Sequence, residues 1–366
     1  MLLFSKLYFN KVEKSGDCSK TYYVDKLIEC LKYTFQKNYS DSSHQAIDET
    51  MVKFKGRSTL KQYLPLKPIK RGIKLWTRAD SFTGFIYDFN VYAGKESGAV
   101  EGTLGERVVT KLLSTIRVYE VAFCFDRYFT SVKLMDTIKI PAVGTFIKNR
   151  KNFPPFGKNK MVRGEVEHLK NNHNTLAARW QDTKEVLALS NCHEAVSYQI
   201  KRKMKSGEKV AVNCPDLISF YNKFMGGVDL ADQKMAVYDL DRKSLKWWKK
   251  VFFKLLFAAI SNASIIHGHL QKRKKSLTMK AFLIALAEQL IEEGTKDSYK
   301  KKRLPLAVPG KRRMIDVGSH LPIEGEVRRR CRLCAEKKKE RKIKLYCSQC
   351  KINLCKTCFT PYHLKL

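Results

Sequence analysis

The sequence predicts an α/β protein built on a mixed β-sheet with flanking helices and an insertion, followed by a small cysteine-rich domain. Three observations carry this expectation. Three strand-like runs come first and then alternate with amphipathic helices, a basic stretch of irregular pattern interrupts the series, and six of the eleven cysteines crowd between Cys331 and Cys358. A chain of 366 residues, 44% of them hydrophobic, is long enough to bury a large core without disulfide staples.

Taken in order, YYVDKLIECLKYTFQKNY (Tyr22 to Tyr39) spaces its apolar residues as a helix does, and QAIDETMVKF reads as the first strand. The basic loop KGRSTLKQYLPLKPIKRG follows, and its prolines argue against regular pairing. IKLWTRAD and FIYDFNVYA, rich in aromatic and β-branched residues, form a hairpin around SFTG. An amphipathic helix LGERVVTKLLSTIR, a short apolar strand VAFCFD, a helix SVKLMDTIK and a strand IPAVGTFIK complete the series.

The order βββαβαβ, with the third strand on one side and the last parallel strands on the other, is that of the ribonuclease H-like fold. Residues 149–214 read as an insertion in which RWQDTKEVLALS is strand-like. Two helical segments, LISFYNKFMGGVDLADQKMAVY and WWKKVFFKLLFAAISNASIIH, are expected to pack on the sheet; Trp247 and Trp248 then belong to the core rather than to a base-stacking surface. A further helix, KAFLIALAEQLIEE, precedes the basic linker KKKRLPLAVPGKRRM. The predicted organisation is a remnant of a helical N-terminal region over 1–40, a core domain over 41–290, a basic linker over 291–326 and a cysteine-rich domain over 327–366.

Charge points to the partner. Against 35 Asp and Glu stand 71 Lys and Arg, a formal net charge of +36, which calls for a polyanion. MLLFSKLYF holds too short an apolar run for a secretory signal, and LLFAAISNASIIHGHL, interrupted by Ser, Asn and His, reads as a buried helix rather than a spanning one. Nucleic acid therefore fits better than a membrane, and a soluble intracellular protein is expected. The clusters Lys300 to Arg303 and Lys311 to Arg313 match nuclear import signals or a solvated linker. Lys53, Lys55, Arg57, Lys61, Lys67, Lys70 and Arg71, beside the first strand, are the phosphate candidates.

Phosphodiester chemistry with two Mg2+ or Mn2+ ions needs carboxylates converging from separate elements. Asp48 lies in the first strand and Asp126 at the end of VAFCFD, and in a ribonuclease H-like sheet these strands are parallel neighbours. Asp229 and Asp232 in MGGVDLADQ, spaced i, i+3 on one helical face, supply a further acid, and Gly226 and Gly227 before them permit close backbone approach. Singly each aspartate reads equally as a cap or turn residue. An acidic cluster on a DNA-facing surface of such a basic protein makes sense once cations neutralise it.

The cysteine pairs Cys331 and Cys334, Cys347 and Cys350, and Cys355 and Cys358 are each CxxC, and His363 follows. This is zinc-ligand spacing. Seven ligands are one short of two sites, so His320 or water completes the eighth position.

The segments IDETMVKFKGRSTLKQYLPLKPIKRGIKLW, FIYDFNVYAGK, FDRYFTS, YNKFMGGVDLADQ and KSLKWWKKVFF resemble, in order, the signature segments of piggyBac transposases, and the cysteine-rich tail resembles that family's cross-brace domain as well as RING and PHD modules. The resemblance implies a DDD transposase whose catalytic aspartates match Asp48, Asp126 and Asp229, with Asp232 a further important acid. It implies metal-dependent nicking, hairpin formation and strand transfer on double-stranded DNA, at transposon ends and TTAA target sites, by a homodimer if the chain is active; the expected location is nuclear. Two departures stand out: Arg127 and Tyr128 replace the usual FDNFFTS residues, and Met1 lies 47 residues before Asp48 where relatives carry a long N-terminal region. A shortened chain is thus expected, and with it two alternatives: a domesticated DNA-binding protein that does not transpose, or a zinc-dependent interaction adaptor.

Overall fold

The computed structural model describes residues 9–10, 18–65, 67–94, 101–118, 120–203, 207–238, 242–271, 277–301 and 320–364. They fall into two compact units, Met1–Leu283 and Ile284–Leu366.

In the first unit a short 3-10 turn (Tyr22–Val24) leads into α1 (Asp25–Asn38), then the strands β1 (His44–Lys53), β2 (Lys61–Tyr63), β3 (Arg71–Asp80) and β4 (Ile86–Val91). Helix α2 (Leu104–Leu113), strand β5 (Ala122–Phe125), helix α3 (Val132–Thr137) and strand β6 (Ala142–Thr145) follow. Both helices start where local chemistry dictates. Thr103 and Glu106 form a capping box on α2, and the Ser131 hydroxyl accepts from the Leu134 amide at the start of α3.

The strands order as β4–β3–β1–β5–β6, antiparallel among the first three and parallel from β1 to β6. This is the mixed ribonuclease H-like sheet that the sequence predicts. Alternate residues of each strand face opposite layers. Val52, Leu75 and Ala79 pack against helices that lie later in the chain, and Ile47, Trp76, Phe123 and Phe125 pack against α2 and α3.

Three expectations need correction. The basic loop does pair: β2 joins the outer edge of β3 over three residues, ending at Tyr63 before Pro65 is reached. The insertion is more regular than its sequence implies. Its strands β7 (Val166–Lys170), β8 (Leu176–Gln181) and β9 (Glu185–Ser190) continue the sheet antiparallel beyond β6 in the order β9–β8–β7, and β10 (Ser197–Lys203) pairs with β11 (Lys209–Pro215) as a separate hairpin. Two of its arginines are matched internally: Arg179 bonds Glu185 at 2.7 Å and Glu167 at 3.3 Å, and Arg163 bonds Asp182 at 2.7 Å. The segment around MGGVD, finally, is two helices, α4 (Asp216–Phe224) and α5 (Gly227–Ala236), broken at Met225 and Gly226.

Helix α6 (Trp247–Leu270) is long and apolar enough to cross a membrane by composition alone. Here Trp248, Val251, Leu255 and Ala258 are in the sheet's core, and the Asn262 amide clamps edge strand β4 by accepting from the Ile86 amide (2.9 Å) and donating to its carbonyl (2.8 Å). Trp248 stacks on Tyr23, as a core residue would.

Helix α7 (Met279–Lys301) runs from the first unit into the second, so residues 291–301 of the expected linker are helical. The rest of the linker up to residue 319, including Arg303 and Lys311 to Arg313, lies outside the described residues. The second unit then consists of an antiparallel ribbon, β12 (Pro322–Arg330) and β13 (Lys342–Cys347), with short helices α8 (Arg332–Glu336) and α9 (Lys356–Leu364).

Candidate catalytic site and metal-binding module

Strands β1 and β5 run parallel with Ile47 beside Phe125, so that Asp48 and Asp126 are each the next residue along neighbouring strands and share one face of the sheet. Asp126 Oδ1 accepts from the Arg127 amide at 2.6 Å and lies 3.4 Å from the Thr145 hydroxyl on β6. Thr145 Oγ1 is also 3.4 Å from Tyr221 Oη on α4. Burial pushes the Tyr221 phenol up, and the negative fields of Asp126 and Asp48 add to the shift, so it stays protonated and able to donate.

Asp48 is buried, with Oδ1 accepting from the Glu49 amide at 2.8 Å. Its Oδ2 lies 3.5 Å from Lys67 Nζ, which is also 3.5 Å from Glu49 Oε1. Burial is the chief reason that the Asp48 carboxyl is pushed up to about 7; Lys67 pulls it back and Glu49 adds to the rise. For Lys67, burial disfavours the charge, but Asp48, Glu49 and Asp229 together outweigh it and raise the ammonium above its ordinary value. Asp229 is thus close enough to act on the same cation.

Asp229 reaches this place because α5 is seated hard on the sheet. A Cβ at Gly227 would meet the Asp80 carbonyl oxygen at 2.8 Å and the Ala79 carbonyl oxygen at 3.1 Å, whereas one at Gly226 would meet nothing within 4 Å. Gly84, in the β3–β4 turn at φ +70°, comes equally close to the Ala231 backbone. Of the two glycines that the sequence singles out, Gly227 alone is needed for the approach. Asp232, one turn on, points elsewhere: its Oδ1 is 2.8 Å from Lys254 Nζ on α6.

The acids gather at one end of the sheet without closing on a single point. Among the described residues, the groups whose ligand atoms all lie within 4.8 Å of one another are the two in the cysteine-rich unit. The aspartate donors are nonetheless hard oxygens, and a cation, the Lys67 ammonium, already sits between two carboxylates. Both observations fit divalent ions spaced about 3.5–4 Å apart. Of the basic candidates, Lys53, Lys55, Arg57, Lys70 and Arg71 are exposed, Lys61 donates to the Gly56 carbonyl at 2.9 Å, and Lys67 reaches inward to the acids. Sequence reasoning missed Glu49, Thr145 and Tyr221. Glu49 was legible as an acid adjacent to Asp48, whereas nothing in the spacing of Thr145 or Tyr221 marks them.

In the second unit the eight ligands sort into two interleaved sets, His320, Cys347, Cys350 and His363, and Cys331, Cys334, Cys355 and Cys358. The place that the seven tail residues leave open is filled by His320. Cys334 Sγ lies 3.8 Å from Cys355 Sγ and 3.6 Å from Cys358 Sγ, and Cys350 Sγ lies 3.3 Å from His320 Nδ1 and 3.6 Å from His363 Nε2. For arms of about 2.3 Å to sulfur and about 2.0 Å to nitrogen, a tetrahedron needs edges of about 3.8 Å and about 3.5 Å, so both sets fit a four-coordinate ion. Outer contacts fix them: His363 Nδ1 donates to the Phe359 carbonyl at 2.8 Å, leaving Nε2 for the ion, and the Cys355 amide donates to Cys331 Sγ at 3.3 Å.

A family model described as Transposase IS4 matches residues 1–264. The chain belongs to the piggyBac-type transposase family. Human PiggyBac transposable element-derived protein 3 is 28% identical over 261 residues, which is 67% of this chain and 43% of that protein. Human PiggyBac transposable element-derived protein 2 is 26% identical over 91% of this chain and 58% of its own length. The chain thus spans about two fifths to three fifths of the length of these curated relatives. Among solved structures, the cryo-EM structure of the piggyBac transposase synaptic complex with hairpin DNA superposes with a TM-score of 0.68 at 24% identity, covering 93% of this chain and 74% of that one, which places this chain in the same fold.

Proposed function

We propose that this chain is a DNA nuclease and strand transferase of the piggyBac type, in which Asp48, Asp126 and Asp229 hold Mg2+ or Mn2+. The observation that carries this reading is the parallel adjacency of Asp48 and Asp126, with Asp229 delivered over them by a helix that Gly227 lets approach. Divalent ions bound there would lower the charge developing on the phosphate and on the attacking and leaving oxygens. The protein's own part is to aim the donors: Thr145 and the Arg127 amide orient Asp126, and the Glu49 amide orients Asp48. Asp232, through Lys254, ties α5 to α6. Exposed Lys53, Lys55, Arg57, Lys70 and Arg71 supply phosphate contacts along the duplex. TTAA-flanked transposon ends as substrate, a homodimeric active form and a nuclear location complete the proposal. The two Cys/His sets hold zinc, since thiolate-rich tetrahedral sites favour it.

A second reading, a transposase-derived protein that binds DNA without cutting it, draws on Lys67, whose ammonium neutralises Asp48 and Glu49 where metal ions would act. The two separate on labelled duplexes bearing TTAA-flanked ends, with Mg2+ or Mn2+, comparing the chain with Asp48→Ala and Asp229→Ala. Nicking and hairpin formation by the parent, lost in both variants, supports the nuclease. Binding with no cleavage above that of the variants leaves the DNA-binding reading in its place.

A further inference from the structure

Arg127 and Tyr128, where this chain departs from the family's usual segment, follow Asp126 directly, and the structure gives Tyr128 an unusual setting. Phe129 is fully buried and meets Trp76 edge-on at 5.3 Å, anchoring the loop. Arg150 Nη2 pins it from outside by donating to the Arg127 carbonyl at 2.9 Å and the Tyr128 carbonyl at 2.5 Å. Held this way, the Tyr128 ring lies nearly parallel to Trp76, with centroids 5.4 Å apart and planes 21° apart, yet Tyr128 remains 39% exposed. One face is stacked on protein. The residue keeps part of its surface in solvent, two positions from a proposed metal ligand.

Behind this stack sits Lys74, only 8% exposed, with Nζ 3.9 Å from the Trp76 centroid, 4.6 Å from Tyr92 and 5.5 Å from Tyr128. Among the described residues no carboxylate pairs with it. The acid whose field it feels, Glu49, is engaged by Lys67. Burial lowers the Lys74 ammonium's pKa and Glu49 offsets only part of that, so this amine, packed among three rings, shares its one nearby acid with Lys67. Arg150 and Arg107 put positive field on Tyr128 against the negative field of Glu49, and Arg127 precedes it in the loop.

A part-exposed ring stacked on Trp76 and ringed by Lys74, Arg107 and Arg150 has one natural ligand on a nucleic acid, an unstacked nucleotide: the base covers the ring and the phosphate meets the basic side chains. We infer that Tyr128 is the stacking platform for an unpaired nucleobase of the substrate strand beside the phosphate held at Asp126, with Trp76 and Lys74 as its support. The inference rests on the DNA-cleaving reading above and deepens it. It assigns the platform a specific task, to hold a base that has left the duplex where a strand end is cut or turned.

The test uses the full chain with Ca2+ in place of Mg2+ so that the strand stays intact, and DNA carrying 2-aminopurine either at an unpaired position next to the cut or within a fully paired duplex. Stacking on Tyr128 quenches the unpaired probe in the parent. Tyr128→Phe keeps the quench. Tyr128→Leu, which still covers Trp76 but lacks a ring, abolishes it and weakens binding of the unpaired DNA about tenfold, while paired duplex stays within about twofold by fluorescence anisotropy. An undiminished quench in Tyr128→Leu, or equal weakening on paired and unpaired DNA, overturns the platform and leaves the DNA-binding reading standing. Failure of the parent to bind either DNA overturns both.

Discussion

Lys67 Nζ lies 3.5 Å from Asp48 Oδ2 and 3.5 Å from Glu49 Oε1, a cation built into the place where the proposed function puts metal ions. Removing it should therefore favour divalent-ion binding wherever Asp48 is ionised. Lys67→Met is expected to tighten Mn2+ binding by about fivefold or more at pH 8.5, since one positive charge a few ångströms from the ion is lost. At pH 6 the gain should vanish, because without Lys67 the Asp48 carboxyl holds its proton still more firmly. Water-proton relaxation in a Mn2+ titration reads both. Equal affinities at pH 8.5 would show that Lys67 does not compete for the site.

Asp48 itself should make the metal-free protein less stable as pH rises. Its folded carboxyl is pushed up to about 7, from an ordinary 3.8, chiefly by burial. Between those values the folded state keeps a proton that the unfolded chain releases, so stability falls with rising pH through this window and levels off above about 7. Asn resembles the protonated acid. Asp48→Asn in EDTA should therefore be more stable than the parent at pH 8 by roughly 2 kcal/mol, and indistinguishable from it near pH 3.5. Urea unfolding at the two pH values checks this; a constant difference between them would refute it.

Gly226 and Gly227 look alike in the sequence and should behave differently. Alanine at Gly227 would press on the Asp80 and Ala79 carbonyls, which belong to the sheet's backbone and cannot rotate away, so α5 must lift and carry Asp229 with it. A loss of about 1–3 kcal/mol is expected. Alanine at Gly226 meets nothing, at a φ of −73° open to any residue, and should leave thermal stability unchanged or slightly raised. Calorimetric unfolding of the two variants decides it, and an equal loss in both would remove the close approach at Gly227 as the reason for that glycine.

The strands that carry Asp48 and Asp126 were legible because each is a run of apolar or β-branched residues bounded by turns, and the order of elements then forces the two to be neighbours. β2 was missed because three residues are too few to show a period, and β7 because an edge strand of mostly half-exposed residues lacks the alternation of a buried one. The insertion's Arg and Lys suggested an irregular surface; the acid partners of Arg179 and Arg163 lie on neighbouring strands and in the β8–β9 turn, which sequence order does not reveal. Likewise, i, i+3 spacing put Asp229 and Asp232 on one helical face but could not show that Asp232 is taken by Lys254 on α6. The odd number of ligands in the tail pointed beyond the CxxC pairs to His320, although its distance from Cys331 follows no metal-site spacing.

That histidine gives the metal module a test independent of DNA. Two interleaved sets of four ligands predict two zinc ions per chain. In the first set His320 Nδ1 lies 3.4 Å from Cys347 Sγ and 3.3 Å from Cys350 Sγ, so it closes a tetrahedron that would otherwise have three protein ligands. His320→Ala should drop the content from two ions to about one after mild chelation, because a three-ligand site loses much of its affinity while the all-cysteine set is untouched. His320→Cys should restore the second ion. Cys334→Ala should spare the His320 set in turn, although each loss will loosen the other, since the ligand pairs alternate along the chain and one small core that includes Leu354 and Tyr362 joins them. Metal released to a chromogenic chelator counts the ions. Two tightly held ions in His320→Ala would mean that water or another side chain closes the site and that the position of His320 is incidental.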